Sequence, residues 1–158
     1  FVGYDISRHA LDIARSKAKE RGLGNVRFAD PRDEALPQNG RFGFVTTFDC
    51  IHDMTKPSEM VRLIRRAVSE DGVWLLVDIK ALDTMEQNVA KNPMAALMYG
   101  ISVLSCMASA LSEPNGEGLG TLGLPPSRAE ALAREAGFST FATLEIPHSV
   151  NAFYEVRP

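Results

Sequence analysis

The alternation of apolar and polar positions divides the chain into short strands and amphipathic helices. Residues 1–5 form a brief apolar run that closes on an acid, Asp5. The period then changes: Ala10, Leu11, Ala14 and Ala18 recur at helical spacing, which predicts a helix over 8–21. Ser7 stands where an N-cap belongs and Gly22 where a helix stops. Residues 25–29 alternate as a strand, 30–40 form a loop of acids, proline and glycine, and 42–48 (FGFVTTF) combine β-branched and aromatic residues as strands do. After a loop at 49–56, a helix is predicted over 57–68, with Met60, Val61, Ile64 and Val68 on one side. Asp71-Gly72 predicts a turn, and 73–79 (VWLLVDI) is the clearest buried strand.

The second half changes character. Residues 82–111 read as largely helical, and 113–124 as a loop crowded with Gly116, Gly118, Gly120 and Gly123. A helix is predicted from Ser127, with a capping box to Glu130 and a stop at Gly137. Two strands close the chain, 140–146 and 152–156; the short loop between them can only join antiparallel neighbours. Near-continuous apolar strands separated by helices argue an α/β protein with a mostly parallel, doubly wound sheet ending in an antiparallel hairpin. The charge-free segment 94–111 approaches spanning length, but Gly100 and Ser102, Ser105, Ser109 and Ser112 interrupt or border it. A buried lid or dimer-interface helix is the better reading.

Composition narrows the function classes. Hydrophobic residues are 45% and charged residues 23% of the 158, enough for one domain with a core. The net charge of −3 comes with no basic stripe, which argues against nucleic-acid contact by this chain. Cys50 and Cys106 lie far apart without metal-type spacing, a pattern that fits a reduced, cytoplasmic setting and gives no metal motif. The 116–123 loop lacks the Gly-Lys-Ser/Thr ending of a P-loop.

The order of elements, with YDIS at 4–7, TTFDCIHDM at 46–54, SEDGVWLLVDIK at 69–80 and EAGFS at 135–139, resembles the class I S-adenosylmethionine-dependent methyltransferases. These have a Rossmann-like sheet whose last strand inserts antiparallel. The stretch 99–107, the GLGTLG loop and the terminal YEVRP are similar to a bacterial subgroup whose members often carry an N-terminal winged-helix domain and are sometimes labelled transcriptional regulators. The resemblance begins at the family's second strand. It therefore implies an N-terminally truncated methyltransferase domain over 1–158, with a helical lid insert at about 82–124, whose first strand and glycine-rich turn lie upstream. A chain without them is expected to turn over weakly or not at all.

The resemblance also implies roles. Asp5 would take the ribose hydroxyls of S-adenosylmethionine, since a carboxylate accepts two hydrogen bonds at once. Ile6 would pack on the adenine, and Asp30 or Asp33 would meet the adenine amino group, with Ala29 or Pro31 lining the same pocket. Phe48 and Asp49 end a strand at the edge where open α/β sheets bind ligands. His52 is the candidate general base, having a pKa near neutrality, and Asp53 lies beside it. Asp78 and Lys80 end the next strand at the same edge, and Asn88, Tyr99, Met107 and Glu113 would line an acceptor site under the insert. His148 lies in the last hairpin loop and His9 on an outer helix face. The leading expectation is methyl transfer to a small molecule by a homodimer. The alternative is a ligand-sensing or dimerisation domain of a regulator. A nicotinamide-dependent oxidoreductase is disfavoured by the closing hairpin.

Overall fold

A computed structural model describes residues 1–120 and 122–158. They fall into two compact units, 1–37 and 38–158.

In the first unit, β1 (Val2–Tyr4) pairs in parallel with β2 (Arg27–Ala29) across helix α1 (Arg8–Glu20). Both predicted helix ends are present. Ser7 Oγ accepts the Ala10 N–H at 3.2 Å, and Gly22 takes a left-handed φ of 64° that lets Leu23 N–H reach the Ala18 carbonyl at 2.9 Å. Leu11 and Ala18 are the buried face of α1.

The second unit is a four-stranded sheet in the order β3-β4-β6-β5: β3 (Phe42–Phe48), β4 (Val68–Ile79), β5 (Thr140–Leu144) and β6 (Asn151–Arg157). β3 and β4 are parallel, and β6 lies antiparallel between β4 and β5, as the short closing loop requires. Helix α2 (Pro57–Ala67) connects β3 to β4. The predicted turn at Asp71-Gly72 is not a break before the strand. It lies within β4 as a bulge, where register steps from Phe42 opposite Val68 to Phe44 opposite Val73. A Cβ on Gly72 would meet Val68 Cγ1 at 2.7 Å, so only glycine fits this crowded bend.

The core lies under one face of β4. Trp74 and Leu76 are buried there with Ile51, Val61 and Ile64 and with Leu132 and Ala133 of helix α6, which the structure starts at Pro126 (Pro126–Glu135). The period of two puts Asp78 on that same face, fully buried. The Trp74 indole N–H donates to Thr47 Oγ1 at 3.0 Å, which satisfies its one polar atom.

The helical insert and the start of α6 differ from expectation. The apolar run 94–111 is two helices, α4 (Ala95–Leu104) and α5 (Cys106–Ala110), after α3 (Met85–Lys91). The break falls at Ser105, whose φ and ψ of −124° and −75° are non-helical. Leu97, Ile101, Val103 and Leu104 are exposed instead of buried. Among the described residues no helix is long and apolar enough to cross a membrane. Helix α6 has no side-chain cap of its own, so the Ser127–Glu130 capping box does not form. Asp83 caps it from the preceding connection, accepting the Ser127 N–H at 2.9 Å, and this bond holds the Asp83 carboxyl below its usual range. The glycine loop is pinned as well. Glu117 N–H donates to the Thr55 carbonyl at 2.9 Å, and its carboxylate accepts the Ser58 hydroxyl at 2.5 Å.

Candidate active site

In the second unit the candidate residues gather where β3 and β4 end. Asp49 N–H still bonds to the Val77 carbonyl at 3.0 Å, continuing the sheet, but Asp49 itself turns into the left-handed region with φ 46°. Non-glycine residues rarely adopt that conformation, and they do so mostly at tight turns and functional sites. The reversal delivers the chain into a single 3-10 turn, Ile51–Asp53, which carries His52 beneath the end of β4.

There the His52 Nδ1 meets Asp78 Oδ1 at 2.6 Å, with both side chains buried. Asp78 Oδ1 also accepts the Ile79 N–H at 2.8 Å, and Asp78 Oδ2 is buried without a hydrogen-bond partner. The other ring nitrogen, Nε2, lies 3.1 Å from Asp53 Oδ1, whose side chain is 40% exposed. Burial opposes charge on His52. The Asp78 hydrogen bond, with the charges of Asp78, Asp53 and Asp49, outweighs it and raises the imidazole pKa above its ordinary value. Burial first, and then the charge of Asp78, raise the Asp49 carboxyl. Asp49 Oδ1 accepts a short hydrogen bond from the Asn151 side-chain amide, from the first residue of β6. Phe48 is 60% exposed beside it, an unusual placement for a strand aromatic.

The insert supplies one more neighbour. Cys106 opens α5, and its Sγ, a His52 ring nitrogen and an Asp53 carboxylate oxygen all lie within 4.8 Å of one another. Burial and the Asp53 carboxylate raise the Cys106 thiol, so it stands as the protonated thiol beside that acid. Ser109 Oγ donates to the Asp53 carbonyl at 2.9 Å, tying α5 to the 3-10 turn. Tyr99 and Met107 are half-buried on α4 and α5, and Glu113 is exposed after them. Asn88 does not line a site. Its amide is consumed by Leu82 and Thr84, with all three bonds between 2.8 and 2.9 Å. His148 holds the hairpin backbone, its Nδ1 accepting the Asn151 N–H at 2.8 Å. Lys80 and His9 are exposed.

In the first unit, Asp5 follows β1 and is exposed. Its Oδ1 accepts the Ser7 N–H at 2.7 Å, which fixes the carboxylate at the strand end and leaves the lone pairs of Oδ2 for a ligand. Ile6 is 65% exposed next to it. Asp30 and Asp33, alike in sequence, differ in place. Asp30 is buried and takes Arg32 through the backbone N–H and the guanidinium, with the shortest contact at 2.6 Å. Asp33 is exposed. Arg32 also donates to the Ile6 carbonyl at 2.6 Å, joining the loops that follow β1 and β2. Ala29 is buried and Pro31 half-buried beside the pair.

The Arg32 bonds pull the Asp30 carboxyl from 3.8 down to about 2. A depressed carboxylate contributes stability that is complete above its unfolded value and is lost as pH falls through the folded one. Thermal melts of the parent and of Arg32→Ala should therefore differ at neutral pH, and the gap should close between about pH 4 and about pH 2. A constant gap over that range would show that Arg32 acts on the fold by another route.

Arg32, Asn151 and the partnership of Cys106 with His52 escaped the sequence reading. Asn151 is 102 residues from Asp49, and no local pattern links them. Arg32 had a signal, the acid two residues before it.

A family model described as a methyltransferase domain matches residues 1–122. The uncharacterized methyltransferase YcgJ of Bacillus subtilis (strain 168) is 33% identical over 78 residues, covering 49% of this chain and 31% of the relative. The chain thus spans about a third of the length of that curated relative. The CMeT domain of the citrinin polyketide synthase superposes with a TM-score of 0.70 at 15% identity, over 99% of this chain and 38% of that one. The trans-methyltransferase CalH, solved in complex with SAH, superposes with a TM-score of 0.64 at 17% identity, over 99% of this chain and 42% of that one. These superpositions show a shared fold, and the family match extends from β1 into the glycine loop. By that match the chain belongs to the methyltransferase domain family.

Proposed function

We propose that the chain forms the catalytic portion of an enzyme that moves a methyl group from S-adenosylmethionine to a small-molecule acceptor. The observation that carries this reading is the buried His52–Asp78 pair at the carboxyl ends of β3 and β4, where open α/β sheets bind ligands. The donor supplies an electrophilic methyl on a sulfonium whose departure needs no proton. The residues at the strand ends fit such a group: Asp5 for the ribose hydroxyls, Ile6 for the adenine face and exposed Asp33 for the adenine amino group. Asp30 holds Arg32 instead. Phe48 and Asp49 would meet the methionine portion, and Asn151 fixes the Asp49 carboxylate. CalH, with SAH in its structure, shares this fold.

In this reading His52 is the general base. Asp78 holds the Nδ1 proton and so leaves Nε2 as the acceptor of a proton. Asp53, the half-exposed member, lies 3.1 Å from Nε2, and the acceptor would dock against it. Asp78 stabilises the imidazolium that forms, and the insert that bears Tyr99, Met107 and Glu113 roofs the acceptor. Calorimetric titration of the full-length natural protein with S-adenosylhomocysteine should show micromolar, one-to-one binding. Absence of heat together with heat from a nicotinamide dinucleotide would sink the proposal.

The exposed apolar residues of α4, Leu97, Ile101 and Leu104, support self-association through that helix. Sedimentation should give a dimer that Leu104→Glu converts to monomer; a monomer at every concentration would refute it. A purely ligand-sensing domain would also bind the donor product, but it would turn over no acceptor.

A further inference from the structure

We propose that His52 Nε2, Asp53 and Cys106 Sγ form a zinc site. One donor atom from each lies within 4.8 Å of the others. Zinc bonds of about 2.0 Å to nitrogen or oxygen and about 2.3 Å to sulfur place tetrahedral donors roughly 3–4 Å apart. The His52–Asp53 pair already stands at 3.1 Å, so a small inward movement of Cys106 completes the set.

Two further features point to a ligand. Asp53 Oδ1 is buried without a hydrogen bond of good geometry, although the His52 ring nitrogen faces it and the Cys106 thiol stands against the same carboxylate. An unsatisfied buried carboxylate oxygen is costly unless something compensates it. Moreover, His52 is presented as a metal ligand usually is. Its far nitrogen is locked at 2.6 Å to a buried carboxylate, Asp78, which fixes the tautomer and directs Nε2 at the cluster. Imidazole, carboxylate and thiol together are the donor set of zinc in preference to magnesium or calcium. Three protein ligands leave a fourth position open. On binding, the Cys106 thiol releases its proton to solvent and its sulfur electron pair bonds the metal. Metal and acceptor proton compete for the same nitrogen, so an occupied site withdraws His52 from base catalysis.

Cobalt(II), a spectroscopic substitute for zinc, tests the site without reference to turnover. The full-length protein is stripped with chelator and titrated with Co²⁺. One equivalent should produce tetrahedral visible bands and a near-ultraviolet thiolate-to-cobalt band, both bleached by Zn²⁺. Cys106→Ser should abolish the near-ultraviolet band, and Cys50→Ser should retain it. Asp78→Asn should weaken cobalt binding by roughly 10–100-fold. Asp53→Asn, at a half-exposed position, should weaken it at least roughly tenfold, and it serves if Cys106→Ser does not fold. No thiolate band at equimolar cobalt, a band that survives Cys106→Ser, or an affinity unmoved by Asp53→Asn overturns the proposal. Each of those results leaves donor binding and methyl transfer open to their own tests.

Discussion

Replacing His52 with alanine should lower turnover by about 10²–10⁴-fold, the usual range for loss of a positioned general base. The assay belongs in chelator-treated buffer, so that only the proton-accepting role of Nε2 is read. His52 is buried against Asp78, and its loss leaves a carboxylate in the core with neither oxygen facing its former partner. Stability will therefore fall as well, and turnover alone is ambiguous. The discriminating measurement is donor-product affinity on the same sample. The residues assigned to the donor's ribose and adenine belong to the first unit and His52 to the second, so a folded variant should bind S-adenosylhomocysteine as the parent does while turning over slowly. Asp78→Asn should lower turnover to a similar extent, because the amide removes the charge that stabilises the imidazolium and its N–H can hold His52 in the wrong tautomer. Parent-like turnover in His52→Ala would remove the base from the mechanism and leave positioning alone to drive the transfer.

Asp5→Ala should weaken donor binding on the order of 10²-fold. Two hydroxyl hydrogen bonds to a charged acceptor are together worth about 3 kcal/mol, and each 1.4 kcal/mol is tenfold in affinity. The control lies in the local structure. Asp5 also anchors the Ser7 N–H, and Ser7 in turn caps α1. Asp5→Asn keeps an oxygen for Ser7 while giving up the charge, so it should fold as the parent does and bind the donor with intermediate affinity. If both variants bind the donor normally, Asp5 only organises the entry to α1.

Local chemistry made much of this legible. Ser7 and Gly22 bound α1 as read, because a cap and a left-handed stop are decided by two or three adjacent residues. Strands β3 and β4 and the closing hairpin followed from apolar runs and from a connection too short to cross a sheet. Where the reading departed from the structure, a distant residue decided the outcome. Ser127 and Glu130 have capping-box spacing, yet Asp83 takes the helix start because the chain returns there after the insert. Asp71-Gly72 has turn chemistry, yet strand pairing with β3 absorbs it as a bulge. The apolar stretch at 94–111 resembles one buried helix, but a break at Ser105 turns Cys106 toward His52 and leaves Leu104 exposed.

The same division runs through the site. The sequence by itself determined which acids and which histidine stand at strand ends, because the period of two and the lengths of the apolar runs are local properties. It could not choose between Asp30 and Asp33, nor pair His52 with Asp78, Asp49 with Asn151, or Cys106 with the histidine. Those pairings span from 26 to 102 residues along the chain. Only the tertiary structure decided them, since sheet register and helix packing bring distant groups together, and burial then sets the charge that each can carry.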